Sequence, residues 1–298
     1  MKKFWNKPPP ANRRLPSMEV LNNKTAARRW VMHQRCEQRS LGLVPTMGAL
    51  HAGHISLAKR AVQRCDVTVA TIFVNPTQFA PGEDLDRYPR TLENDLRLLR
   101  DAGVDAVFVP AVDEMYAEDF STYVQPPDVA LCLEGERRPD HFRGVTTVVT
   151  KLFHILPCTH AFFGHKDYQQ ARVLQTMNRE LDFGIEIEIC PTVREPDGLA
   201  LSSRNRYLSD DERRRALGLH RALTVACKAY QDGQRGTKVL EQLMRAELEN
   251  AGIDSVEYAV VVNSQTLQPS VHADEEAIAL IAARVGSTRL IDNQKLAT

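Results

Sequence analysis

The chain has no excess of charge of either sign. Its 38 lysines and arginines balance 38 aspartates and glutamates over 298 residues, so no whole-chain basic field favours nucleic acid or an anionic membrane. No apolar run approaches the roughly 18 residues of a membrane-spanning helix. The six cysteines (Cys36, Cys65, Cys132, Cys158, Cys190 and Cys227) never form a Cys-x-x-Cys pair, which fits reduced, mostly buried thiols in a cytoplasmic protein. Residues 1–16 carry Lys, Arg, Asn and the triplet Pro8-Pro9-Pro10. They lack the apolar core of a signal peptide, so export is not expected, and the stretch reads as a flexible basic tail. Repeats and low-complexity segments are absent too. At 43% hydrophobic and 26% charged residues, the composition is that of a soluble globular protein of one large or two ordinary domains.

What is present is concentrated in short segments. Residues 45–54 read Pro45-Thr46-Met47-Gly48-Ala49-Leu50-His51-Ala52-Gly53-His54, directly after the apolar run Leu41-Gly42-Leu43-Val44. A buried strand thus enters a glycine-containing turn and then a helix. Such a turn lets backbone approach a nucleotide, and the helix N-terminus offers unpaired N–H groups to phosphate. His51 and His54 are predicted on one helical face, aimed at one ligand. Zinc is the competing reading, but no HExxH motif and no cysteine partner accompanies the pair.

Helical signals cover residues 18–38, 54–65, 91–102, 145–156 and 168–181. Strands are predicted at 41–44, 67–74, 104–109, 161–163 and 185–189, and this alternation argues for βαβ units around a parallel sheet. After Pro191 the texture changes. Ser209-Asp210-Asp211-Glu212 is a capping box that starts a helix to about Gln231. A second helix over 236–251 and strands at 256–262, 277–283 and 288–291 read as a smaller α+β unit. The boundaries are set at 1–16, 17–192 and 193–298.

Four further clusters carry chemistry. Asn75 and Gln78 end a buried strand, where open α/β sheets bind ligands, although Asn75-Pro76 also suits a plain turn. Arg143, in His141-Phe142-Arg143-Gly144, suits a carboxylate or phosphate, or is an ordinary surface arginine. Gly164-His165-Lys166-Asp167-Tyr168-Gln169-Gln170 follows a strand and starts a helix, as an anion site would; Asp167 as a plain N-cap beside a solvated Lys166 is the alternative. Leu201-Ser202-Ser203-Arg204 reads as a mobile polyphosphate clamp or a polar linker.

Together these segments resemble the pantoate–β-alanine ligase (pantothenate synthetase) family, within the His-x-Gly-His nucleotidyltransferases. Residues 44–54, 73–79, 88–91, 141–144, 164–170, 191–194, 197–208 and 288–293 match in order, and the likeness spans about residues 18–296. It implies a Rossmann-like parallel sheet with helices on both faces, plus a smaller C-terminal α+β lid domain, in a cytoplasmic homodimer. The implied reaction joins pantoate to β-alanine through pantoyl adenylate, releasing AMP and pyrophosphate, with ATP as substrate and Mg²⁺ as cofactor.

Carried over residue by residue, the resemblance assigns ATP to Pro45, Thr46, Met47, Gly48, Ala49, Leu50, His51, Ala52, Gly53 and His54. It adds Gly164, His165, Lys166 and Asp167, then Val193, Leu201, Ser202, Ser203 and Arg204. Gln78 and Gln170 would hold pantoate, Val148 and Val149 its dimethyl group, and Gln78 also β-alanine. His54 would be the proton donor, with His51, Lys166 and Arg204 also acting on developing charge. Asp95 would ligate magnesium. Three positions depart from the pattern: Ala52 and Asn94 stand where acidic residues are usual, and His165 replaces a glutamate.

Overall fold

The computed structural model describes residues 18–297; the tail reading for residues 1–16 lies outside them. The chain divides into two compact units. The first comprises the described residues through Ala130, with Gly135–Gly164 and Val173–Cys190. The second takes Leu131–Glu134, His165–Arg172 and Pro191 onward. The boundary expected at 192/193 leaves both short segments, Leu131–Glu134 and His165–Arg172, in the N-terminal domain instead.

In chain order the first unit carries β1 (Glu19–Leu21), α1 (Lys24–Cys36), β2 (Leu41–Val44), α2 (Ala52–Arg64), β3 (Val67–Thr71), α3 (Leu92–Asp101) and β4 (Ala106–Phe108). The short helices α4 (Val112–Met115) and α5 (Glu134–Arg137, begun by Glu134 of the second unit) follow. Then come α6 (His141–Ile155), β5 (His160–Gly164), α7 (Tyr168–Glu180, its first turn belonging to the second unit) and β6 (Glu186–Cys190). The six strands form one parallel sheet in the order β1-β4-β3-β2-β5-β6.

Every residue of β2 and β3 is buried, as a sheet covered on both faces requires. Alternation distributes them between two cores. Leu41, Leu43, Val69 and Phe163 pack with α1, α6 and the second half of α7. Val44, Ala70, Val107 and Phe162 pack with α2 and α3 on the other face. The strand order reverses between β2 and β5, and beyond the carboxyl ends of such a pair lies the crevice where doubly wound folds bind ligands.

One strand was not anticipated. Residues 18–38 read as helical, but β1 precedes α1 and pairs with β4. Three residues are too few to show alternation, and the pairing partner is distant in sequence. α6 begins at His141 rather than at residue 145, after Asp140 with φ 66°.

The second unit is α8 (Asp210–Gln231) and α9 (Thr237–Asn250) with an antiparallel sheet β7-β8-β9 (Ser255–Asn263, Ala277–Val285, Thr288–Lys295). Its core joins Leu219, Leu223, Leu240 and Met244 to Ile281 and Val285. The predicted capping box is formed: Glu212 N–H donates to Ser209 Oγ, and Ser209 N–H to Glu212 Oε2.

Candidate active site

The turn after β2 is built by its own side chains and one distant carboxylate. Gly48 (φ 85°) and Ala49 (φ 51°) are both left-handed, a conformation that costs a residue with a Cβ unless its surroundings hold it. Asp95 of α3 holds it. This carboxylate is 1% exposed; Oδ2 accepts the N–H of Ala49 and Oδ1 that of Leu50, both at 2.9 Å. Thr91 Oγ1 donates to Oδ1 at 3.1 Å, and Gly48 N–H donates to Thr46 Oγ1 at 3.2 Å.

One expectation changes in consequence. Asp95 does not fit a magnesium ligand, because both oxygens already accept hydrogen bonds in a buried position. Among the described residues no group of three His, Cys, Asp or Glu side chains is placed to hold a metal ion. Gly48, Ala49 and Leu50 use their backbone donors inside the turn, and the expected N–H donors to phosphate are those of the helix that follows.

The histidines are the groups it presents. His51 is the N-cap of α2, with extended backbone, and His54 is in the first turn. His51 therefore lies before the helix rather than on its face. Gly53 N–H donates to His51 Nδ1 at 3.2 Å, and His51 N–H donates to His54 Nδ1 at 3.3 Å. An Nδ1 that accepts carries no proton, so each neutral ring is protonated at Nε2. The ring centroids are 4.1 Å apart.

After β3, Asn75 caps the 3₁₀ turn Pro76–Gln78. It is 1% exposed. Its Oδ1 accepts Tyr116 Oη (2.8 Å) and Thr77 Oγ1 (3.0 Å), and its Nδ2 donates to Gln78 Oε1 (3.0 Å) and Gly144 O (3.2 Å). Burial pushes the Tyr116 phenol up to about 12, so it remains a donor at neutral pH. A Cβ on Gly144 would lie 2.3 Å from Thr77 O; glycine is what lets α6 approach.

Asn75 is thus the turn residue of the two readings, and its Nδ2 turns the Gln78 oxygen inward. Gln78 Nε2 then faces Met47 Sδ at 3.3 Å, a weak acceptor that a polar substrate would replace easily. This contact brings the turns after β2 and β3 together.

His141 Nδ1 lies 2.8 Å from Gln78 O. Arg143 stacks 4.4 Å over Tyr123 near Asp140, which favours the surface-arginine reading. Val148 and Val149 are buried in the first core.

In the second unit the 3₁₀ turn His165–Asp167 leads into α7. Lys166 Nζ sits 3.3 Å from Asp167 Oδ1, and Asn293 Nδ2 donates to the carbonyls of both His165 and Lys166. Burial, reinforced by Lys295, holds the His165 imidazole below its usual pKa. Gln169 is locked by Glu134 N–H and Cys132 O, while Gln170 is half-buried. Val193 O accepts Leu201 N–H at 3.0 Å, closing the loop before Ser202. Ser202 caps the 3₁₀ turn Ser203–Tyr207, its Oγ accepting Arg204 N–H at 3.3 Å.

The model of one protein family, described as pantoate-beta-alanine ligase, matches residues 19–295. The chain belongs to the pantoate–β-alanine ligase family. Among its ligase relatives, the pantothenate synthetase of Rhodopirellula baltica is 53% identical over 94% of this chain and 99% of its own. A crystal structure of the Thermus thermophilus pantothenate synthetase superposes with a TM-score of 0.90 at 41% identity, covering 94% of this chain and 100% of that one. The ligase of Francisella tularensis, solved with beta-gamma ATP and β-alanine, gives 0.77 at 32% identity over 95% and 99%.

The sequence reading missed Tyr116, the structural use of Asp95, and Asn293 as a holder of the Lys166 turn. No helix among the described residues is long and apolar enough to cross a membrane. All six cysteines are free thiols, three of them buried, and burial pushes Cys65 up to about 12. A thiol so rarely ionised is a poor nucleophile.

Proposed function

We propose that this protein condenses pantoate with β-alanine, using ATP. The match to the ligase family over residues 19–295 carries the reading. In the first half-reaction a pantoate carboxylate oxygen bonds to the α-phosphorus of ATP, the bond to the β-phosphate oxygen breaks, and pyrophosphate leaves. In the second, the neutral β-alanine amine attacks the acyl carbon of the adenylate. AMP departs with the C–O electron pair, and the amine loses a proton. A carboxylate is a poor acyl donor, and adenylation supplies its leaving group.

Such transfers need positioning and charge stabilisation more than a reactive side chain. The Nε2–H groups of His51 and His54 suit oxygens that gain charge at the α-phosphoryl centre, with no protonation needed beforehand. In the C-terminal unit the reading assigns Lys166, Ser202, Ser203 and Arg204 to the triphosphate. It also assigns ATP to Gly164 of the first unit and to His165, Asp167, Val193 and Leu201 of the second. Gln78 and Gln170 are assigned to the hydroxyl and carboxylate of pantoate, Gln78 also to β-alanine, and Val148 and Val149 to the dimethyl group. Support for Gln78 comes from its oriented Nε2.

The Mg²⁺ implied by the resemblance has no ligand in Asp95, and the steps above use this chain's own groups. Homodimerisation and a cytoplasmic location belong to the same proposal; sedimentation of the purified protein tests the first. The activity is tested by product analysis. ATP, pantoate and β-alanine should yield AMP and pantothenate in equal amounts, whereas ADP with phosphate would contradict the reading.

A further inference from the structure

Two neighbours on β9, Asp292 and Asn293, are 3% and 4% exposed. Successive strand residues face opposite ways, and these two grip different segments. An amide has two N–H donors, and Asn293 Nδ2 reaches His165 O at 3.0 Å and Lys166 O at 2.8 Å. Peptide bonds among the described residues are all trans. In a trans peptide the C=O of one residue and the N–H of the next point opposite ways. Holding those two carbonyls therefore turns the N–H groups of Lys166 and Asp167 away from β9, at the start of α7.

Asp292 takes the Arg194 guanidinium in a two-pronged pair at 2.6 and 2.9 Å. Its Oδ1 also accepts the N–H of Asn293 at 2.8 Å. Arg194 Nη1 donates further to Gly198 O at 3.1 Å, and the Arg194 backbone pairs with Ala200. This closes the base of the loop that runs into Ser202. A buried ion pair is weak evidence for stability alone, because apolar residues of similar size often serve as well. What marks this pair is its targets: both gripped segments carry groups assigned to the triphosphate.

We propose that Asp292 and Asn293 are positioning residues for the nucleotide. Asn293 sets the turn that bears Lys166, and Asp292, through Arg194, sets the loop that leads to Ser202, Ser203 and Arg204. The proposal rests on the ATP-dependent reading above. α7 itself is held elsewhere, by Tyr168 Oη on Ser264 O and by Gln169 on Cys132 O, so pantoate binding through Gln170 should be spared.

The test is ATP affinity, measured by titration calorimetry on the full chain, beside steady-state kinetics. Asn293→Ala should weaken ATP binding and lower kcat/KM for ATP by about 10- to 100-fold, with KM for pantoate changed less than about threefold. Asn293→Ser, which keeps one donor, should recover part of the loss and substitutes if the alanine variant fails to fold. On a Lys166→Ala background, Asn293→Ala should add less than about threefold, since the two act as one unit. Unchanged ATP affinity, equal losses for ATP and pantoate with a lowered Tm, or full additivity with Lys166→Ala would each overturn the proposal. Calorimetry keeps the two readings separate: a wild-type protein that binds ATP but makes no pantothenate would refute the ligase reading and leave the ATP comparison decisive.

Discussion

His51 donates its backbone N–H to the Nδ1 of His54 at 3.3 Å, so the ring of one histidine caps the backbone of the other. In the neutral ring this leaves the proton of the His54 imidazole on Nε2. Asparagine places its side-chain oxygen near the position of Nδ1, and glutamine places its amide nitrogen near that of Nε2. His54→Asn should keep the fold, with Tm lowered by no more than about 4–8 °C, and lose about 10²–10³ in kcat as a missing oxyanion donor does. His54→Gln should lose less. Steady-state kinetics with thermal melts read both, and equal activity in the two variants would remove the donor role.

Asp95 is expected to act on the turn rather than on a cation. In Asp95→Asn one of the two N–H acceptors becomes a donor facing Ala49 or Leu50. The cost should be about 1–3 kcal/mol of stability, as for a buried group left unsatisfied, with a fall in kcat as the turn relaxes. Its dependence on Mg²⁺ concentration should match the wild type. A large shift in the Mg²⁺ required for half-maximal rate would restore Asp95 as a ligand.

How much was legible in the sequence follows from where each partner sits. The strand Leu41–Val44 and the Ser209–Glu212 box depend on neighbours within one or two turns, and both form as read. The His51–His54 spacing was also local, yet the rise of a helix was assumed one residue too early, because N-cap geometry depends on what the side chain accepts. Asp95 meets a turn 45 and 46 residues away, and Asn293 meets carbonyls 127 and 128 residues away. No periodicity records such pairings. Thr288 to Asn293 could be matched to a family, but which backbone Asn293 holds is set only by folding.

Tyr116→Phe should loosen Gln78 without touching it. The variant removes the donor to Asn75 Oδ1, leaving Thr77 as its partner there, at a cost of about 1 kcal/mol. KM for pantoate and for β-alanine should rise severalfold while kcat changes little. With the phenol pushed up to about 12, the wild-type rate should show no tyrosine ionisation near neutral pH. Unchanged KM values would separate Tyr116 from substrate binding.

Acid should destabilise the protein through three imidazoles, His160 buried and His165 and His220 half-buried. Burial is the leading cause that holds His160, His165 and His220 below the ordinary 6.5. The folded state thus resists protonation more than the unfolded chain does. The stability they contribute is complete above pH 6.5 and is lost as pH falls below it, through the lower folded values. Urea midpoints should fall over that window, and His165→Gln should flatten the part due to His165. A midpoint that rose on acidification would contradict this sign.

The most direct test of the two-step ligation is isotope exchange between pyrophosphate and ATP. Given ATP, Mg²⁺ and pantoate without β-alanine, the enzyme should move labelled pyrophosphate into ATP, because the adenylate forms and reverts before any amine is present. Omitting pantoate should stop the exchange, and His54→Ala should suppress it in a folded protein. Exchange that required β-alanine, or that ran at the wild-type rate in His54→Ala, would contradict a separate adenylation step carried by the His51–His54 turn.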